Sequence, residues 1–417
     1  MSFKNTDFYN FIIVGAGPAG LTAGIVAKRL GLKVLILEKG EICAPKPRGE
    51  GMGHFPLVDD ILGKDFLLSI GLKSSGGRIW HSPQDLQIAK TRRSYNHYFF
   101  EWREFINRFV QIANELKVEI RLNSEVIESI ENKDYCVGVK YKNKTGKIHE
   151  VYGNCILDCS GHVGVIGRWY NIPYDEQMNC PIIKCRISKA NFDIIKTPDL
   201  QFYFIGNGDL DSSPNFPPCV AYFFPLLERK AEIGLMLRMS QTRKMNSVKI
   251  PNNEEIMKEW AEIKKNYPGF SIFLQHAQID YEELTYIPNA KFANNYIPKS
   301  GVILIGDSAG FIDPFGSSGL YYSMFMADFW ANSLGNTLKY LLKKDEKLNL
   351  STIVWEPDNI AEFKKNFENT EVFKHIMNSY NLIGAFEYKI FNRLRTADKI
   401  NKKWDYIATL LEQASKS

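Results

Sequence analysis

The sequence predicts an α/β fold: a parallel, doubly wound layer, interrupted by an antiparallel sheet and followed by a helical C-terminal region. Three observations carry that expectation. An apolar run near the N-terminus leads into three spaced glycines, strands follow one another through the middle without crossover helices, and a second apolar strand near residue 301 enters a long apolar helix.

The first observation is residues 11–20, FIIVGAGPAG. Phe11, Ile12, Ile13 and Val14 do not alternate with polar residues, which marks a parallel strand covered on both faces. Gly15, Gly17 and Gly20 then permit a tight turn, close approach of a pyrophosphate, and close packing of the next helix. That helix, expected from about 18 to 30 and opening with Pro18 and Ala19, would aim its N-terminal N–H groups and positive dipole end at the phosphates. A second strand, 33–37, delivers Glu38 roughly 20 residues past the glycines, where a carboxylate accepts ribose hydroxyls; Lys39 follows it. Strand, glycines, helix, strand and acid in this order define a Rossmann-type dinucleotide site. The acid favours an unphosphorylated ribose, as in FAD or NAD.

At 417 residues the chain is long enough for two or three domains, and at 45% hydrophobic and 24% charged it has an ordinary globular composition. No apolar stretch approaches the ~18 residues of a spanning helix. The first ten residues carry no charged-then-apolar signal, so the expected location is cytoplasmic. Seven cysteines, at 43, 136, 155, 159, 180, 185 and 219, form no CxxC pair and no zinc spacing; they read as reduced thiols, with no metal. A net charge of +5 is too small to imply nucleic acid. The excess is concentrated at 339–347 and 389–403, read either as a solvated helix face or as a contact with a membrane surface or acidic partner.

Along the chain, a Gly- and Pro-rich loop spans 40–54 beside the expected cofactor site, with Lys46, Arg48 and Glu50 as its candidates. Arg48 would meet pyrophosphate charge or stay solvated. Strand-like sequence at 76–100 precedes an amphipathic helix at 101–116. Short strands are expected at 118–122 and 124–131, the latter including Val126, then at 135–141, 147–151 and 154–161. The middle is strand-rich at 182–187, 201–205, 219–225 and 231–239, with a helix at 253–266. A buried strand at 301–305 runs into GDSAGFIDPFGSSG and a helix from 320 to about 343; residues 358–417 read as polar-amphipathic helix.

GAGPAG with Glu38, Arg103 in the helix after Phe100, DCSG at 158–161 and GDSAGFIDPFGSSG at 306–319 together resemble the FAD-dependent oxidoreductases of the glutathione reductase/p-hydroxybenzoate hydroxylase-like fold. Within that superfamily the chain is similar to the geranylgeranyl reductase family, whose hallmark is a GDAAGFxxPxxGxG-type segment entering an apolar helix. The resemblance implies a discontinuous FAD-binding domain (1–75, 101–180, 287–335), an inserted substrate-binding sheet domain (76–100, 181–286) and a C-terminal helical region (336–417). It places Asp307, after Gly306, on the ribityl chain of FAD, although a strand-end turn or helix cap is the plain alternative for that aspartate. Pro314, Gly316, Ser318, Gly319 and Leu320 would pass along the isoalloxazine. Arg48, Gly49, Arg103 and Val126 join the cofactor set, with Asp158 and Gly161 closing the fold beneath it.

The family's YxWxFP…GxG pattern is matched at Phe224, Pro225 and Gly234, with Val220, Tyr222 and Met236 at the other positions; Arg48 stands where the family has a cysteine. The resemblance implies reduction of C=C bonds in a polyprenyl (geranylgeranyl-type) lipid by hydride transfer from reduced flavin N5. The alternative is a monooxygenase or halogenase-like enzyme acting on an aromatic or natural-product substrate through a C4a-hydroperoxyflavin. Tyr203, Tyr222 and Phe224 are candidate pocket walls, or plain core; His54 and Tyr222 are candidate proton donors. NAD(P)H or an electron-transfer protein would be the reductant, and peripheral membrane contact is expected to accompany a lipid substrate.

Overall fold

The computed structural model describes residues 8–92, 95–172, 179–194, 198–207, 209, 216–237, 251–288, 292–314, 318–344 and 353–416. Its first layer is a parallel sheet in the order Glu119–Arg121, Val34–Leu37, Phe8–Val14, Ile148–Asp158, Val302–Leu304. Phe11 through Val14 and Val34 through Leu37 are all buried, as the unbroken apolar runs require. Helix Pro18–Arg29 packs on helix Leu320–Lys344 and beside helix Trp102–Glu115, sharing one core with the strands.

The stretch read as two strands at 147–151 and 154–161 is one strand, Ile148–Asp158. Its first residues pair antiparallel with Tyr135–Lys142, which in turn pairs with Glu125–Asn132. From Tyr152 onward it runs parallel to Phe8–Val14. A single strand serves both sheet geometries, so the two expected strands are joined without a break.

The second layer is a seven-stranded sheet in the order Gln278–Pro288, Asn179–Ser188, Lys230–Leu237, Cys219–Leu226, Leu200–Ile205, Gly77–His81, Ile88–Arg92. All its neighbours are antiparallel except Leu200–Ile205 with Gly77–His81. One face (Ile183, Cys185, Ala221, Phe223, Ile233, Leu235) packs on helix Asn253–Asn266. That helix starts at a capping box, with Asn252 Oδ1 accepting from Glu255 N–H at 2.9 Å and Glu255 Oε2 from Asn252 N–H at 2.8 Å. The opposite face carries Ile182, Phe202, Phe204, Val220, Tyr222 and Met236. Part of it is covered by Phe386, Ile390, Ile400, Trp404, Ile407 and Leu411 from the C-terminal helices. Those helices are Glu371–Glu387, the π-helical turn Tyr388–Leu394 that continues it, Ala397–Lys402 and Trp404–Lys416.

A small third sheet joins Gly49–Gly53, His97–Glu101 and Gly71–Lys73. It changes two expectations. The loop expected over 40–54 ends in a strand, and the 76–100 stretch divides: its first two strands extend the large sheet, while His97–Glu101 belongs to the small one. No helix among the described residues is long and apolar enough to cross a membrane.

Candidate active site between the two sheets

The C-terminal end of Phe8–Val14 sets the site. Gly15 has φ +100°, and a Cβ there would lie 2.5 Å from the Cys159 carbonyl oxygen. A Cβ on Gly20 would lie 2.0 Å from the Gly15 oxygen, so the helix seats against the turn only because both residues lack one. Gly17, by contrast, has nothing within 4 Å of where a Cβ would stand. Helix Pro18–Arg29 has no side-chain cap and no acid in its first turn. Its free N–H groups and dipole face the cleft through Gly17, Pro18 and Ala19.

Glu38, buried at the end of the second strand, accepts Ala16 N–H at 2.7 Å and Gly40 N–H at 2.8 Å, one on each carboxylate oxygen. Lys39 beside it is exposed, and Val126 is buried on strand Glu125–Asn132, which follows Ser124, whose N–H donates to the Glu38 carbonyl at 2.8 Å. Arg103 lies outside the cleft lining: its guanidinium holds the loop after Glu38, donating to the Cys43 and Ala44 carbonyls at 2.8 and 2.6 Å, with Nε buried and unpartnered. Asp158 also works indirectly. It accepts the Ile166 and Gly167 N–H groups at 2.8 and 3.2 Å, fixing the turn that carries Gly161 to the cleft wall.

The cleft runs between the two layers, with about 1310 Å3 of empty space, open solvent included. On the dinucleotide side it is lined by Gly161, Asp307, Ser318, Gly319, Leu320 and Ser323. Gly306 packs under Ser323, and Pro314 is buried behind the lining. Gly316 lies outside the described residues. No hydrogen bond from the described residues reaches the Asp307 carboxylate; burial raises its pKa, and Arg48 offsets part of that rise.

The opposing wall is amphipathic. Ile182, Leu200, Phe224 and Ile287 form an apolar end. Toward Gly49–Gly53 the same sheet face turns charged, with Lys184, Arg186, Glu232 and Glu283 on adjacent strands. Lys184 Nζ is 3.5 Å and Arg48 Nη2 3.4 Å from Glu50 Oε2. Arg48 stacks 4.3 Å over Trp102, and Lys46 pairs with Glu283 at 2.7 Å. Burial opposes ionisation of Glu50, but Lys184 and Arg48 together hold its pKa below the ordinary carboxylate value.

Glu232 is fully buried. Oε2 accepts Gly49 N–H at 3.0 Å and Oε1 has no partner. Burial pushes its pKa up to about 7, with Lys184 offsetting part of the rise. His162, also on the cleft wall, has its pKa lowered by burial and by Lys46 and Lys39.

Three expected substrate-side residues are placed elsewhere. Tyr203 sits on the far face of the sheet, because residues alternate along Leu200–Ile205 and Phe202 and Phe204 take the near face. Its ring stacks on His81 at 4.3 Å and meets Phe270 edge-on at 4.9 Å, so it walls the second core and not the cleft. His54 is outside the cleft lining and pairs with Asp59 at 2.9 Å. Tyr222 keeps the near face but is buried behind the lining. Its hydroxyl donates to the Ile183 carbonyl at 3.1 Å, and burial raises its pKa well above the usual phenol value. A Cβ on Gly234 would lie 2.4 Å from that hydroxyl, which explains the glycine opposite it.

The residues present fit an FAD. Gly17 leaves room for a pyrophosphate against uncapped N–H groups, and Asp307 offers an unbonded carboxylate on the lining. Arg48 brings a buried Nε without a partner. A parallel layer with this cradle, facing an antiparallel sheet across a cleft, defines a flavoprotein oxidoreductase.

Comparison with known proteins agrees. Residues 10–179 match the family model described as FAD dependent oxidoreductase. Digeranylgeranylglycerophospholipid reductase 2 of Methanococcoides burtonii is 26% identical over 421 residues, spanning 96% of this chain and 95% of the relative. The digeranylgeranylglycerophospholipid reductase of Methanosarcina acetivorans is 25% identical, over 98% of both chains. Among solved structures, a geranylgeranyl bacteriochlorophyll reductase-like protein from Thermoplasma acidophilum superposes with a TM-score of 0.75 at 18% identity, covering 96% of this chain and 92% of the other. The flavin-dependent brominase Bmp2 superposes at 0.63 and 16% identity, covering 97% and 93%, which shows the shared fold alone. The chain is an FAD-dependent oxidoreductase. Within that class it is geranylgeranyl reductase-like.

Proposed function

We propose that the enzyme saturates C=C bonds of a polyprenyl lipid of the geranylgeranyl type. The observation that carries this reading is the wall opposite the dinucleotide cradle, apolar at Ile182, Leu200, Phe224 and Ile287 and charged at Lys184, Glu50 and Arg48. An isoprenoid chain lies against the apolar end by burial, at roughly 25 cal/mol per Å2 of apolar surface removed from water. The near-full-length reductase relatives support the same substrate class.

The chemistry supplied by bound FAD is two-electron transfer to a double bond. Gly17, Pro18, Ala19 and Glu38 would hold its dinucleotide end; Asp307, Ser318, Gly319 and Leu320 would lie along the remainder. Saturation also takes one proton, and this chain must deliver it. Glu232 is suited to hold that proton at Oε1, because its environment keeps the carboxyl neutral up to about pH 7. Lys184 and Glu50, whose charges act on Glu232, line the cleft beside it. Arg48 and Lys184 supply positive charge on one side of the cleft, and the N-terminus of helix Leu320–Lys344 opens onto it from the facing side. Electrons come from NAD(P)H binding transiently or from an electron-transfer protein. Peripheral contact with a membrane would bring the lipid to the cleft.

The test is anaerobic. With the flavin reduced and oxygen excluded, addition of a geranylgeranyl lipid is expected to return the oxidised flavin spectrum. Absence of reoxidation, followed by substrate-stimulated turnover in air, would replace this reading with oxygen chemistry.

A further inference from the structure

An exposed apolar turn stands beside the basic C-terminal helices, and no part of the proposed chemistry uses it. The turn between Gly77–His81 and Ile88–Arg92 carries Leu86 and Ile88, which are 67% and 57% exposed and rank among the most exposed large hydrophobic residues described. It is not a loose loop. Gln87 Nε2 donates to the Asn401 carbonyl at 3.2 Å, Ser82 Oγ accepts Gln87 N–H at 2.9 Å, and Tyr267 Oη accepts Gln84 N–H at 2.7 Å.

The bond to Asn401 sets the apolar tip against exposed Lys399, Lys402 and Lys403, while Lys90 and Arg92 point outward from the edge strand. The acids here are Asp398, paired with Lys402, Asp85, which contacts His81, Asp209, which accepts from Gln84 Nε2 at 2.8 Å, and Asp405; Lys399, Lys403, Lys90 and Arg92 stand beside them. Side chains that water disfavours, ringed by lysines on a rigid tip, fit the chemistry of an anionic bilayer surface. Lysines near such a surface are drawn to its anionic headgroups, and the apolar pair inserts.

The interior beneath this edge is packed against the back of the cleft wall. Trp80 and Ala89, on the two strands that form the turn, belong to the same buried cluster as Leu200 and Ile182, which line the cleft wall. The C-terminal helices lie over that cluster. We propose that the turn at 82–88, together with helix Ala397–Lys402, docks the enzyme on an anionic lipid bilayer. The inference extends the lipid-substrate reading, but its readout is binding, which needs no turnover.

FAD-loaded protein would be sedimented with vesicles of phosphatidylcholine alone and of phosphatidylcholine mixed with phosphatidylglycerol. Binding is expected only to the mixed vesicles and should be lost at high salt. Leu86→Ser with Ile88→Ser should weaken it by about 10- to 100-fold, given the burial value of each side chain. Lys399→Glu, Lys402→Glu and Lys403→Glu combined should weaken it at least as much. Both variants should retain FAD and reduce a short, water-soluble prenyl substrate at the normal rate. Wild-type protein that ignores anionic vesicles, or variants that bind them as wild type does, would overturn the docking surface. Loss of prenyl reduction in wild type with intact vesicle binding would overturn the reductase reading alone.

Discussion

Glu232 occupies a strand, Lys230–Leu237, that is otherwise almost wholly apolar and buried, and protonation of its carboxyl bears on both stability and chemistry. Its pKa rises from 4.5 to about 7 on folding. Between those values the native state keeps a proton that the unfolded chain has released, so stability falls as pH rises through the window, and the full cost is present above it. Glu232→Gln removes the dependence: it should stabilise the protein by up to about 3 kcal/mol at pH near 8 and have little effect below about pH 4.5, read from denaturant melts across pH. Product formation should fall in wild type as pH rises through about 7, and be low and flat in Glu232→Gln with FAD content unchanged. The lone acid in KAEIGLML was a visible signal, as were the cations in IIKCRIS, but pairing Lys184 with Glu50 required strands separated by more than 100 residues. Tyr203 failed as a wall for a simpler reason. Parity along a strand assigns neighbouring residues to opposite faces, and in QFYFI both faces are apolar, so composition could not say which one met the cleft.

At the scale of elements, the turn from the first strand into helix Pro18–Arg29 separates folding from cofactor binding. Gly20→Ala puts a Cβ 2.0 Å from the Gly15 oxygen and should cost roughly 1–3 kcal/mol or more in stability, whether or not FAD is present. Gly17→Ala meets nothing within 4 Å and should leave the apoprotein's melting unchanged, yet weaken FAD by about tenfold or more, measured by flavin fluorescence titration. Equal losses of apoprotein stability in both variants would contradict the cradle. This cradle was legible because each glycine has a separate local reason. Helix Asn253–Asn266 was legible as well, with the bounds the sequence led one to expect, although its capping box was seen only in the structure. Gly49–Gly53 was hidden: GEGMG has weak strand propensity and pairs only because His97–Glu101 lies alongside. Gln278–Pro288 was missed because its exposed start, QIDYEE, carries charge on both faces of an edge strand.

At the scale of the whole molecule, the two layers divide the labour. The parallel layer presents N–H groups, Asp307 and the helix starts, while the antiparallel layer presents an apolar end and a charged end across the cleft. Removing residues 371–416 would uncover Phe202, Phe204 and Trp80 on the second layer, so the truncated protein should aggregate and show a lower melting temperature by light-scattering-monitored melts. The layer order was readable from the return of a buried strand at residue 301. The face the C-terminal helices cover was not, because their polar-amphipathic sequence specifies a buried stripe without naming its partner. The measurement that tests the central claim most directly is mass spectrometry of the lipid after a single anaerobic turnover of the reduced holoenzyme with a geranylgeranyl lipid. The account predicts a product heavier by two hydrogens in amounts matching the flavin reoxidised. Unchanged lipid, with reoxidation occurring only when air is admitted, would contradict it.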